Sequence, residues 1–116
     1  MQINLTDEQL NIAICEWRGW TRRVGSIDWL NKIGIRVGAH QLPSHITGIE
    51  ALGNMHEAEK GLTYENHIRF GQKLAQICGD DFYEYKTHWS RDAVSATARQ
   101  RAIALLRVVR PNLFTT

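Results

Sequence analysis

Polar and apolar positions along the chain change period several times, and each change marks an element. In "LTDEQLNIAICEWRGW", Leu10, Ala13, Ile14 and Trp17 follow the i, i+3, i+4, i+7 spacing of a helix with one buried face. Thr6 is placed to cap that helix, with Gln9 closing a capping box and Asp7 and Glu8 favoured near its positive end. Gly19 stops it, which predicts a helix near residues 7–18. From Trp20 to Pro43 the period falls to two. Ile33, Ile35, Val37 and Ala39 alternate with Gly34, Arg36 and Gly38, a weak strand because of its glycines. A stronger strand is expected over residues 83–89 of "FYEYKTHW", where Tyr83, Tyr85, Thr87 and Trp89 share one face.

Helical spacing returns between these strands. Gly48, Ala51, Leu52, Met55, Ala58 and Leu62 line one side of a helix expected near 46–61. Gly48, Gly53 and Gly61 weaken it by about 1 kcal/mol each relative to Ala, so packing must hold it, with a close neighbour as one reason for the glycines. Thr63 caps a third helix, near 64–78, with Ile68, Gly71, Leu74, Ala75 and Cys78 inward, a Glu65–Arg69 pair outward and Gly79 as its stop. A fourth, near 97–109, turns Ala98, Ala102, Leu105, Leu106 and Val109 inward before Pro111 ends it. Together these predict one α+β domain over residues 1–116, about four helices packed with a small sheet, and a core including Trp17, Leu52, Leu74, Leu105 and Leu106.

A length of 116 residues suits one core and is too short for two, and 43% hydrophobic residues separate the chain from disordered composition. Fourteen Lys and Arg against twelve Asp and Glu leave a formal charge of +2, too small to argue for nucleic acid by itself. The distribution says more. No acid follows Asp92, whereas Arg99, Arg101, Arg107 and Arg110 all do. Cys15 and Cys78 match no zinc or disulfide spacing and read as two buried thiols. The acids in "MQINLTDEQL" do not suit a signal peptide, and no apolar run approaches the ~20 residues of a membrane span, so a cytoplasmic protein with no membrane contact is expected.

Three stretches, "LTDEQLNIAICEWRGW", "LGNMHEAEKGLT" and "ATARQRAIALLRVV", together resemble the phage ABA sandwich domain family, small proteins of tailed phages and prophages. That family's middle motif has a Pro, an aromatic two residues on, and then a run like Asp-Leu-Asn-Ala-Met-His-Glu-Ala-Glu. Here His45 stands at the aromatic position after Pro43, and the run to His56 is longer. The resemblance implies a layered, α/β/α-like sandwich and a phage origin. It carries over no catalytic residue.

His56, Glu57, Glu59 and Lys60 invite a metal or acid–base reading. A carboxylate–histidine metal site recruits matching pairs from further helices, and no second Glu-x-x-His pair exists. Lys60 also occupies the place where a His-Glu-x-x-His protease needs its second histidine. With Met55, Ala58 and Leu62 inward, His56, Glu57 and Lys60 are instead expected on a solvated face, with Glu57 and Lys60 paired. No nucleophile elbow, P-loop or dinucleotide fingerprint occurs. The expectation is therefore no catalytic residue, no metal and no cofactor.

The fourth helix carries the most informative exposed feature. Arg99, Arg107 and Arg110 are expected to flank an exposed Ile103 on a face apart from the apolar one. Arg99 stands in the first turn, where a cation opposes the helix dipole by about 0.3–1 kcal/mol, so some other contact must favour it. Arg22 and Arg23, beside Trp20, would extend such a surface if the fold brought them near. Phage resemblance, small size and the lack of a catalytic constellation point to a non-enzymatic phage accessory protein. It would bind a host or phage protein with an acidic surface, such as a host-defence component of the CRISPR type, through Arg99, Ile103, Arg107 and Arg110. The alternative is a nucleic-acid-binding phage regulator using the same basic helix. An enzyme centred on His56 is the third reading, and a small homo-oligomer fits any of them.

Overall fold

The computed structural model describes residues 4–22, 28–38, 41–78 and 96–114. Helix α1, Asp7–Trp17, opens on the Thr6–Gln9 capping box. It closes at Gly19, whose φ of 103° lets the backbone turn while its N–H donates to Glu16. Three two-residue strands follow: β1 (Thr21–Arg22), β2 (Trp29–Leu30) and β3 (Arg36–Val37). They form an antiparallel sheet in the order β1-β2-β3, with Thr21 opposite Leu30 and Trp29 opposite Val37. Helices α2 (Ala51–Glu59), α3 (Tyr64–Ile77) and α4 (Ala98–Val109) and a 3-10 turn, Pro111–Phe114, complete the described chain. Among the described residues the result is a single α+β domain of four helices packed with a small three-stranded sheet.

Helix α4 is the hub. It packs against α1, α2, α3 and the closing 3-10 turn. Its Ala102, Ala104, Leu105 and Leu106 are fully buried with Leu10 and Ile14 of α1, Met55 of α2, and Phe70 and Leu74 of α3. The alanines let neighbouring backbones approach α4 closely, and the long aliphatic side chains fill the space around them. Phe114 folds back onto the same cluster. Among the described residues no helix is long and apolar enough to cross a membrane.

Four expectations need correction, and two lie out of reach. Helix α2 begins at Ala51 rather than near 46, because Gly48 adopts φ 92° in a turn closed by the Ala51 N–H donating to Gly48 O. That turn leaves Leu52 44% exposed, outside the core. Trp17 is only partly buried; its ring packs against the core and covers Gly61, where an added Cβ would stand 3.2 Å from the indole. Gly61 thus fits the close-neighbour expectation, while nothing stands within 4 Å of a Cβ at Gly48 or Gly53. The strand expected over residues 33–39 shrinks to Arg36–Val37. Asn31 Oδ1 accepts from the N–H of both Ile33 and Ile35, fixing a turn that exposes the two isoleucines. The strand expected over 83–89 and the Gly79 stop fall outside the described residues.

Candidate functional site

The basic helix is well anchored. Thr97 accepts from the Gln100 N–H, and Gln100 Oε1 accepts from the Thr97 N–H, the second capping box of the chain. Arg99 finds the contact its unfavourable dipole position requires. Its Nε donates to Asp7 Oδ1 at 2.9 Å and its Nη2 to the Leu5 carbonyl at 3.0 Å, tying the start of α4 to the start of α1. The acid is half exposed, so this pair is screened and worth at most about 1 kcal/mol.

Arg107 is held differently. Its guanidinium lies 5.0 Å from the centroid of Phe114, and its Nε is buried without a hydrogen-bond partner. Arg99, Ile103 and Arg107 border one cleft of about 50 Å³ with Asn4, Leu5 and Phe114. Ile103, expected as the exposed centre of the ridge, is instead half-buried and packed against the core. The ridge is also divided. Arg110 caps the end of α4 in a non-helical conformation, φ −140° and ψ 57°, and borders a second groove. That groove, about 390 Å³, also takes in Glu16, Trp20, Thr21, Arg22 and Leu113. The fold therefore does bring Arg22 and Trp20 beside the basic helix; Arg23 lies outside the described residues.

Arg101 points the other way, into the protein. Its Nε donates to Glu59 Oε2 at 2.7 Å and its Nη2 to Oε1 at 2.5 Å, a two-pronged pair in which both side chains are nearly fully buried. The guanidinium also lies 5.7 Å from the Phe70 ring centroid. Helical spacing places each of the two on a buried face without naming the other as its partner. Arg101 stands four residues before the buried Leu105, and Glu59 four after the buried Met55.

The end of α2 resolves accordingly. His56 is exposed, Glu57 and Lys60 pair at 2.7 Å as expected, and Glu59 is committed to Arg101. Among the described residues no three His, Cys, Asp or Glu side chains gather as a metal-binding group.

A second polar cluster was not legible. His45 is fully buried; its Nδ1 lies 2.8 Å from Asn11 Oδ1 and its Nε2 2.9 Å from Arg18 Nη1. The arginine can only donate, so Nε2 carries the lone pair and Nδ1–H donates to Asn11. Burial first, and the Arg18 charge second, hold the imidazole pKa down to about 4, so it is neutral near neutral pH. Cys15 Sγ stands 3.8 Å from the same Nδ1 and 3.6 Å from the Pro43 carbonyl. Cys, His and Asn are the residue types of a thiol-protease triad, but here both partners face one ring nitrogen that already carries a proton. Burial also pushes the thiol pKa up to about 12, opposite to the shift a nucleophile needs. The cluster closes the loop before α2 onto α1, aided by Asn11 Nδ2 donating to Pro43 O and Asn54 Nδ2 to Ser44 O.

No protein-family model matches the chain, and neither a curated protein nor a solved structure does.

Proposed function

We propose that this chain is a phage accessory protein of the ABA sandwich type, acting in the host cytoplasm by binding a protein with an acidic surface and catalysing no reaction. The observation that carries the reading is the state of the outward arginines. Arg107 is held against Phe114, and no ion pair or hydrogen bond of the Arg107 or Arg110 side chain occurs among the described residues. Guanidinium groups that are positioned but not neutralised suit bidentate pairing with a partner's carboxylates. The non-catalytic part is supported by chemistry: Cys15 is a deprotonation-resistant thiol, both nitrogens of His45 are engaged, and Glu59 is consumed by an internal pair. The phage assignment rests on the sequence resemblance. A host-defence complex of the CRISPR type is the partner class we favour.

The test is affinity capture from phage-infected host lysate, followed by binding kinetics with the purified partner. Arg107→Glu and Arg110→Glu should slow association by like-charge repulsion while circular dichroism stays unchanged. Ile103 is left unchanged, since a charge there would meet the core. If both folded Glu variants associate as fast as the parent, the basic helix is not the interface. If the parent instead retains nucleic acid with a steep salt dependence that each Arg variant reduces by about one phosphate contact, the regulator reading replaces this one.

A further inference from the structure

We infer that the groove between α1 and the end of α4 is the seat of an extended acidic peptide segment, one with an apolar side chain between carboxylates. This inference rests on the acidic-partner reading and names the site and the form of the ligand. The groove has the parts such a ligand needs. Arg22 and Arg110 stand on its rim, both exposed, while Ala13, Trp20 and Leu113 give it a half-buried apolar lining. With about 390 Å³ it is large enough for several side chains, and its exposed rim suits a chain segment passing through rather than an enclosed small molecule.

Strand β1 supplies the second argument. Among the described residues it pairs only with β2, and its residues Thr21 and Arg22 border the groove while no β2 residue does. No described residue pairs with its other edge. An extended peptide laid there adds a short backbone ladder and presents alternate side chains to the groove, the mode of strand addition. Charge separates this occupant from a nucleic acid. Arg22, Arg110 and Glu16 are the charged residues of the lining, leaving a single net positive charge. A continuous phosphodiester chain carries a charge at every residue and would have to pass that carboxylate, whereas a peptide can pass it with an uncharged side chain.

The probe is a fluorescein-labelled dodecapeptide in which every second residue, the set facing the groove, alternates Glu or Asp with Leu or Phe, and Ser fills the other positions. Its Gln/Asn counterpart and a single-stranded oligothymidine of similar length are the controls. Anisotropy and amide chemical shifts of the full chain are the readouts. The acidic peptide should bind, shift the amides of Ala13, Thr21, Arg22 and Leu113, and weaken about tenfold with Arg110→Ala or with the neutral peptide. Arg110 makes no side-chain hydrogen bond among the described residues, so this variant should fold normally; Arg22→Lys, keeping charge without the planar fork, should weaken binding less. Shifts confined to Asn4, Arg99, Ile103 and Arg107 would move the acidic ligand to the other cleft and overturn the groove while sparing the function. Tighter binding of oligothymidine, lost with the same arginine, would overturn the peptide as occupant. No binding of either probe would remove both the groove and the acidic-partner reading.

Discussion

Glu59 and Arg101 place two charges where the surrounding residues are Met55, Ala58, Phe70 and Leu105, and the pair is tolerated only because each neutralises the other. Removing one partner leaves an uncompensated buried charge. Glu59→Ala or Arg101→Ala should each cost about 3–5 kcal/mol in urea unfolding, whereas Glu59→Leu with Arg101→Met should cost far less than the sum. Equal additive losses would mean that the pair is solvated. His45 gives a pH signature. Its folded pKa, about 4, lies below the ordinary 6.5, so unfolding takes up a proton between those values. Stability from this group is complete above pH 6.5 and declines as pH falls toward 4, by about 1.4 kcal/mol per unit. His45→Gln should flatten that slope in denaturation curves measured across the window, even if its own stability is lower throughout; an unchanged slope would place the titrating group elsewhere.

The helices divide by how local their determinants are. The ends of α1, α3 and α4 fall close to their expected positions because Thr6, Thr63 and Thr97 each accept from a backbone N–H three residues on, an interaction written entirely within four residues of sequence. Helix α2 has no side-chain cap, and its face was misjudged when Gly48, which turns the chain, was counted as part of it. The same error put Leu52 in the core. Leu105→Ala, at a fully buried site, should therefore cost about 2–5 kcal/mol. Leu52→Ala, at an exposed one, should stay within about 0.5 kcal/mol; a loss above 1 kcal/mol would restore the longer helix. The site shows the same limit. That α4 carries a row of arginines was legible, but what each one touches was not. Arg99 meets Asp7 across 92 residues and Arg101 meets Glu59 across 42, and periodicity along one helix does not encode such partners. His45 was equally hidden, since Asn11, Cys15 and Arg18 converge on it from an element whose apolar face alone had been read.

At the scale of the molecule, α4 and the sheet stand at opposite ends of local stability. Opening α4 exposes the cluster shared by four helices, whereas opening the sheet breaks two ladders of two-residue strands in which Trp29 is the one buried residue. In native-state hydrogen exchange the amides of Ala102 to Leu106 should exchange only through global unfolding, with the same denaturant dependence as the whole chain. Those of β1 to β3 should exchange faster, through local opening with little denaturant dependence. This ordering matters for binding because the proposed groove joins the two regimes: Arg110 and Leu113 follow directly from α4, while Thr21 and Arg22 belong to β1. A ligand seated between them would find one wall already fixed and would have to order the other. Bound acidic peptide should accordingly slow exchange in β1 and β2 by about the binding factor, while leaving the α4 core amides tied to global stability. If β1 already exchanges as slowly as α4 in the free protein, the sheet belongs to the global unit, and the groove is rigid on both sides before any partner arrives.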